Sequence, residues 1–542
     1  MNHDRPGVIR GAVATPHSDA TAAALDTLRG GGNAIDAALA AAAILTVVYP
    51  NQCSIGGDAI ALIGDVDGSV TVINGSGRAA SHLDVDVFRS ARDAMPVTGA
   101  HTVTVPGVLS AWQSLASRWG SRPLSAALSR AAELADEGFP VAPGVARGLA
   151  HEANALAGDA GARDVFFRAG GVLTAGQELR LPRLAETLSR LASDGIGQFY
   201  GGEIGQRLVS TLRNMGSSLD VDDLIRHEVT IERPHAMTFR GDEYLSAGGN
   251  SQGTYFLQAL GALDRVAERL GRVPDPLGAD APVVARILGA AAASRDAMLG
   301  DSTVAALDID EVLGSARLDA IAAQALEGGA VPVNLDQAPI ERRKGDTVAI
   351  VAADSDGRWV SLIQSAFHAF GSCVVDPATG ILLHNRGASF VLTPGAAGEL
   401  GPGRRPPHTL MPVLVRRAGE LIGAHGTMGG RAQPQIHAHL ALQLALGGDA
   451  ASAVSASRWI LGQLEAGPAA ENDSISIACE GDAPSEVASR LAAAGFVVGT
   501  IPQHDDVAGH TQLVRKAGPG AFAAATDPRA DGAAGTAEQD AG

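Results

Sequence analysis

Aromatic residues are scarce in this chain of 542 residues, at 4%, and cysteine is scarcer still, with three residues. Cys53, Cys373 and Cys479 are odd in number and far apart, which argues against a disulfide framework or a CxxC metal site and reads as three reduced, buried thiols. No basic cluster interrupts the acidic background, whose net charge is −18. Neither a nucleic-acid footprint nor adhesion to an anionic membrane is therefore expected, and a small molecule is the expected partner. No apolar run reaches membrane-spanning length, the most apolar stretch, 37–48, being too short. The opening MNHDRPGVIRG lacks the apolar core of a secretory signal, so a cytoplasmic enzyme is expected. The interior has no charged or Pro/Ser-rich linker, which leaves room for one large layered domain.

What is present is a globular composition, 46% apolar and 18% charged, enough to bury a sizeable core. GGGNAIDAALAAAAILTVVYP places an Asn in N-cap position before an Ala-rich run that stops at Pro50, and predicts a buried helix. QCSIGGDAIALIGDVDGSVTVING reads as a hairpin around the turn 65–68. Between Pro123 and Gly329 helical periodicity dominates, as in Leu184, Leu188 and Leu191. After Gly345 strands return: TVAIVAA, the turn 354–357, then RWVSLIQS, so Thr347 opens a strand directly after a Gly-Asp step. IHAHLALQLAL and SRLAAAG read as helices, giving α and β elements layered throughout. From about Ala517 the chain becomes Gly, Ala, Asp and Pro, and the tail 517–542 is expected to be disordered.

Three catalytic readings follow from the residues. Gly249-Asn250-Ser251-Gln252-Gly253 fits a G-x-S-x-G nucleophile elbow between a strand, EYLSAG, and a helix, TYFLQALGAL, with Asp376 and His437 as downstream partners. A turn that glycine permits beside a ligand explains the same pattern more simply. A metal site is suggested by His425, His437 and His439, but residues two apart on a helix point about 200° apart, so a structural role is expected and no metal or cofactor is implied. The DSDG stretch lacks the terminal Glu of a calcium loop and reads as a hairpin turn. Thr347 is the third candidate, and taken alone a Thr that begins a strand is an ordinary β-former.

Six blocks give Thr347 another meaning. GGNAIDAALAAAAILTVVYPNQCSIGGDA, TVTVPGVLSAW, AAELADEGFPV, FYGGEIGQRLV, DTVAIVAADSDGRWVSLIQSAFHAFGSCVVDPATGILLHNRGASF and HTLMPVLV with GTMGGRAQPQ occur in the order seen in the gamma-glutamyltranspeptidase family, which the chain resembles from about Val8 to Leu513. The resemblance implies a four-layer αββα N-terminal-nucleophile (Ntn) hydrolase sandwich with a mainly helical segment in the larger subunit. It implies an inactive precursor that cuts itself between Asp346 and Thr347 into a large subunit, 1–346, and a small subunit, 347–542, which stay together; a homo-oligomer of such heterodimers is compatible with it. Thr347 is then both nucleophile and, through its freed α-amino group with a reference pKa of about 7.7–8.0, its own base. Ser365, eighteen residues on, matches a family Thr whose hydroxyl bonds to the nucleophile. Gly429 and Gly430 match the glycine pair of the oxyanion hole, and His408 and Thr409 stand where the transpeptidases carry two substrate-holding serines.

The acyl-donor pocket departs from the transpeptidase pattern. R-E-T-A-P is read here as Ser76-Gly77-Arg78-Ala79-Ala80, so the Arg has moved two places. In Arg386-Gly387-Ala388-Ser389-Phe390, Ser389 replaces the amino-binding acid and Arg386 adds a positive charge, while Phe367 replaces a family Asn. A glutamyl ammonium loses its partner, and Arg78 and Arg386, with Arg431, suit a carboxylate next to the scissile carbonyl. The pattern resembles the oxamate amidohydrolase and acylase branch, so the expected function is hydrolysis of a small oxamate- or oxalyl-like amide through a Thr acyl-enzyme. A gamma-glutamyl hydrolase or transpeptidase acting on glutathione-like substrates, and an unprocessed, non-catalytic binding protein, stand as alternatives.

Overall fold

Thirteen strands of the described residues form two antiparallel sheets. In chain order they are β1 (Val8–Thr15), β2 (Asp58–Gly64), β3 (Val70–Asn74), β4 (Thr230–Glu232), β5 (His235–Phe239), β6 (Asp242–Ser246), β7 (Gly345–Asp354), β8 (Trp359–His368), β9 (Val413–Arg417), β10 (Glu420–Thr427), β11 (Thr511–Gly518), β12 (Ala521–Thr526) and β13 (Ala533–Gln539). One sheet runs β13-β1-β7-β8-β2-β3-β4 and the other β12-β11-β10-β9-β6-β5. The structure, a computed structural model, describes residues 8–169, 171–304, 306–328, 345–462 and 476–539.

Side chains of period two divide among three apolar layers, the signature of four stacked layers. On β7, Val348, Ile350 and Ala352 face a core shared with the helix Ala34–Val48, whereas Ala349, Val351 and Ala353 face the opposite sheet. On β2, Ala59, Ala61 and Ile63 belong to the first layer and Ile60 and Leu62 to the second. The third layer lies between the second sheet and the helices Gly253–Leu270, Ala281–Met298 and Gln433–Ala445. This is the αββα sandwich expected from the sequence. The helix Ala34–Val48 starts as predicted, on a capping box in which Asn33 and Asp36 bond each other's backbone N–H.

Two expectations are amended. The region 123–329 is mainly helical as expected, and it also carries β4 and β5, which the sequence reading did not place, and β6, which overlaps the strand read in EYLSAG; the three contribute to both sheets. The tail is ordered through residue 539: β12 pairs with β11, and β13 pairs with β1 along its length; residues 540–542 lie outside the described residues. The tail buries little apolar surface of its own, and its anchor is electrostatic. Arg529 reaches both Glu480 and Asp527, Nη1 to Asp527 at 2.9 Å, and Asp527 also pairs with Arg458 at 2.7 Å, all fully buried or nearly so. Two arginines against two carboxylates leave no net charge, which makes such a burial tolerable. Among the described residues no helix is long and apolar enough to cross a membrane.

His425, on β10, and His437 and His439, on the helix Gln433–Ala445, are buried. His437 stacks on His425 (centroids 6.3 Å, 8° between planes), while His439 turns toward Trp459, 4.7 Å away, so the two helical rings diverge as their spacing requires. Burial pushes His425 and His439 down to about 3, and His227 and His408 to about 4. These rings are neutral when folded but take up protons below about pH 6.5 when unfolded. Each therefore contributes stability that is complete above about pH 6.5 and is lost as the pH falls toward its folded value, at about 1.4 kcal/mol per pH unit between the two. The thermal midpoint is expected to drop steeply between pH 6.5 and 4.5; a flat calorimetric profile over that range would contradict the neutral assignment.

Candidate active site

Thr347, Ser365 and Asp58 stand in one row across β7, β8 and β2. Ser365 is paired directly with Asp58, and two residues of β8, Ser365 and Ala366, oppose the single Thr347 in a β-bulge. Neighbouring strands lie about 4.8 Å apart, so the three side chains share the face that looks toward the second sheet. Gly57 permits this approach, since a Cβ there would run into the Ser365 carbonyl. Beyond the bulge Phe367 holds φ 81°, a conformation costly for a non-glycine residue.

The hydroxyls form a directed chain. Thr347 Oγ1 donates to Ser365 Oγ at 3.1 Å, and Ser365 Oγ donates to the carbonyl oxygen of Asp346 at 2.6 Å while accepting from the Phe367 N–H at 2.7 Å. Thr347 and Ser365 are 1% and 0% exposed. The hydroxyl of Thr347 is thus linked, through one side chain, to the carbonyl of the peptide bond that precedes it.

The second sheet closes the site from its own ends. The turn after β10 carries Gly429 (φ 140°) and Gly430 (φ 53°), both in conformations that favour glycine, and a Cβ on Gly429 would collide with Ile436. The segment before β9 carries His408 and Thr409. GNSQG braces both: Gln252 Nε2 donates to the carbonyls of Thr409 (2.7 Å) and Gly430 (2.8 Å), and Asn250 Nδ2 to that of Pro406 (2.8 Å). Ser251, the candidate elbow nucleophile, is fully buried with its hydroxyl donated to the Leu410 carbonyl at 2.6 Å. The glycine pattern is therefore a bracing turn, as the simpler reading had it. Asp376, its proposed partner, bonds Thr379 and Thr211.

Asp58 organises the remaining polar groups. Its Oδ2 receives His384 Nδ1 at 3.1 Å, Arg386 Nε at 3.2 Å and His408 Nε2 at 3.2 Å, and all four side chains are 0% exposed. Burial would push the Asp58 carboxyl up, but His384 and His408 outweigh it and hold it well below the usual carboxylate range. Burial lowers Arg386 to about 10, so it stays charged near neutrality, and burial with the nearby Arg386 pushes His408 to about 4. A neutral His408 accepts the Leu410 N–H at Nδ1 and keeps its proton on Nε2, toward Asp58. Arg386 Nη1 donates to Thr409 Oγ1 at 3.1 Å, and its Cζ lies 4.1 Å over the Phe367 ring.

Of the candidate pocket residues, the structure brings Arg386, His408, Thr409 and Phe367 together. Arg78 is 40% exposed and turned to Asp301 (3.4 Å) and the Gly403 carbonyl (2.9 Å). Arg431 pairs with Asp296 at 2.6 Å. Each of the three arginines is thus paired with an acid of its own, Arg386 with Asp58. Ser389 donates its hydroxyl to the carbonyls of Arg386 and Pro407, which shapes the loop. Asp58 and His384 were not singled out from the sequence; the available signals were an acid opening an apolar strand in GGDAIALI and a His two places from Arg386.

The gamma-glutamyltranspeptidase family model matches residues 20–537. The "Glutathione hydrolase-like YwrD proenzyme" of Bacillus subtilis is 32% identical over 96% of this chain and 97% of its own. The "Oxamate amidohydrolase proenzyme" of Klebsiella pneumoniae is 33% identical over 97% and 98%. Among solved structures, cephalosporin acylase from Bacillus halodurans superimposes with a TM-score of 0.85 at 28% identity, covering 99% of this chain and 97% of that one.

Proposed function

Because the chain belongs to the gamma-glutamyltranspeptidase family, we propose that it is a self-processing Ntn amidohydrolase in which Thr347 is the nucleophile and the substrate is a small amide bearing a carboxylate. The observation that carries the reading is the chain Thr347 Oγ1 to Ser365 Oγ to Asp346 carbonyl. In the precursor, Oγ1 attacks the Asp346 carbonyl carbon while Ser365 donates a hydrogen bond to the oxygen on which charge develops. The C–N bond breaks with a proton passing to the Thr347 nitrogen, and water hydrolyses the resulting ester, leaving an Asp346 carboxylate and a free Thr347 amine. That amine then serves as base for the hydroxyl of its own residue, so no His or Asp relay is required. Gly429 and Gly430 are assigned the oxyanion hole for the substrate reaction.

Scission between Asp346 and Thr347 would not release the pieces. β1, from the large fragment, lies between β7 and β13 of the small one, and β6 pairs with β9 in the second sheet. The two fragments should co-elute under native conditions and separate only on denaturation.

For the substrate, Arg386 is the informative residue. Its Nη2 is buried and has no hydrogen-bond partner among the described residues, so a ligand carboxylate would satisfy it. The relative named as an oxamate amidohydrolase fits this chemistry, and hydrolysis of oxamate-like or oxalyl amides is the leading assignment. Arg386→Gln is expected to remove a buried charged contact, typically about 2–5 kcal/mol, or roughly 30-fold or more in KM for oxamate; an unchanged KM would count against the assignment. A gamma-glutamyl hydrolase or transpeptidase is the second reading, favoured by one observation: Asp58 Oδ1 is also buried without a partner and would receive an ammonium. Ammonia release from oxamate, measured beside chromophore release from a gamma-glutamyl anilide, separates the two.

A further inference from the structure

We propose that Asp58 and His384 are positioning residues of the anion pocket, locking the Arg386 guanidinium so that Nη2 alone is presented to a ligand carboxylate. The inference rests on the reading of Arg386 given above. A guanidinium is a rigid plane, and here three features fix it: Nε on Asp58 Oδ2, Nη1 on Thr409 Oγ1, and one face on Phe367. Among the described residues Nη2 alone of its nitrogens has no partner. His384 in turn holds Asp58, its Nδ1 facing the carboxylate at 3.1 Å and its Nε2 the Thr104 carbonyl at 2.8 Å. Nε2 also lies 3.5 Å from the Thr104 hydroxyl, so Asp58 and Thr104 hold the ring from both sides. Asp58 and Arg386 form an ion pair inside the cluster, whose side chains are 0% exposed.

The cluster also leaves polar atoms that a ligand could pair. A buried polar atom left unpaired is costly, and among the described residues this cluster holds two, Arg386 Nη2 and Asp58 Oδ1. An anion delivered to Nη2 satisfies the donor, and the donor is already oriented when it arrives. Asp58 would touch the anion only through Arg386, so its effect should vanish once Arg386 is gone.

The test is isothermal titration of oxalate into the processed enzyme, with Arg386→Gln, Asp58→Asn, His384→Gln and the double variant Asp58→Asn/Arg386→Gln, each checked for two-fragment maturation. The expected result is a Kd raised at least tenfold in Arg386→Gln and comparably in Asp58→Asn, with the double variant no weaker than Arg386→Gln alone. Should Asp58→Asn fail to fold, His384→Gln carries the comparison, with an expected rise of at least fivefold. Wild-type affinity in Asp58→Asn or His384→Gln, or additive losses in the double variant, would overturn the positioning role while leaving Arg386 as the anion's partner. Wild-type affinity in Arg386→Gln, or no binding by the wild type, would overturn the reading beneath it.

Discussion

Thr347→Ala is expected to remain a single chain of 542 residues and to lose amide hydrolysis by on the order of 10⁴-fold or more, the size of effect seen when a covalent nucleophile is deleted. Alanine removes Oγ1, so nothing attacks the Asp346 carbonyl, no ester forms, and the α-amino group remains tied up as an amide. Both the acyl acceptor and its base are lost in one substitution. The fold should survive, because the Thr347 side chain makes one hydrogen bond, to Ser365, in a buried position, and its loss costs about 1–2 kcal/mol. Thr347→Ser keeps a hydroxyl in place and should mature and turn over, which distinguishes missing chemistry from a damaged fold. Electrophoresis of both variants under denaturing conditions, with ammonia release measured in parallel, checks the pair of outcomes.

Ser365→Ala is expected to slow maturation by on the order of 10²–10³-fold, comparable to deleting one oxyanion donor. Its hydroxyl occupies three roles, acceptor from Thr347, donor to the Asp346 carbonyl and acceptor from the Phe367 N–H. Alanine leaves the attacking hydroxyl unoriented and the scissile carbonyl unpolarised. It also strands a buried N–H beside the strained Phe367. Ser365→Thr restores a hydroxyl at the same carbon and should recover most of the rate. The appearance of fragments over time after synthesis is the measurement; maturation of Ser365→Ala at the wild-type rate would remove Ser365 from the mechanism.

The hairpin β7–β8 was legible because its apolar residues alternate with period two around a turn, and each residue class falls in the layer that the alternation assigns. Thr347, the proposed nucleophile, was singled out only through neighbouring blocks, since Thr at the start of a strand is unremarkable. The tail was misread because its order does not come from its own apolar content: Asp527 and Arg529 are held by Glu480 and Arg458, and β13 completes the sheet on β1. Composition reports neither. The same limit hid Asp58, whose partners His384, Arg386 and His408 lie 326, 328 and 350 residues away. Arg78, read from a family motif, and Arg431 are each paired with a local acid, Asp301 and Asp296, which the sequence does not reveal.

The most direct measurement is the intact mass and N-terminal sequence of the fragments in purified wild-type protein. The account predicts two chains, the smaller beginning at Thr347, and neither in Thr347→Ala. An active wild type that stays as one chain, or a smaller fragment that begins at another residue, would contradict it.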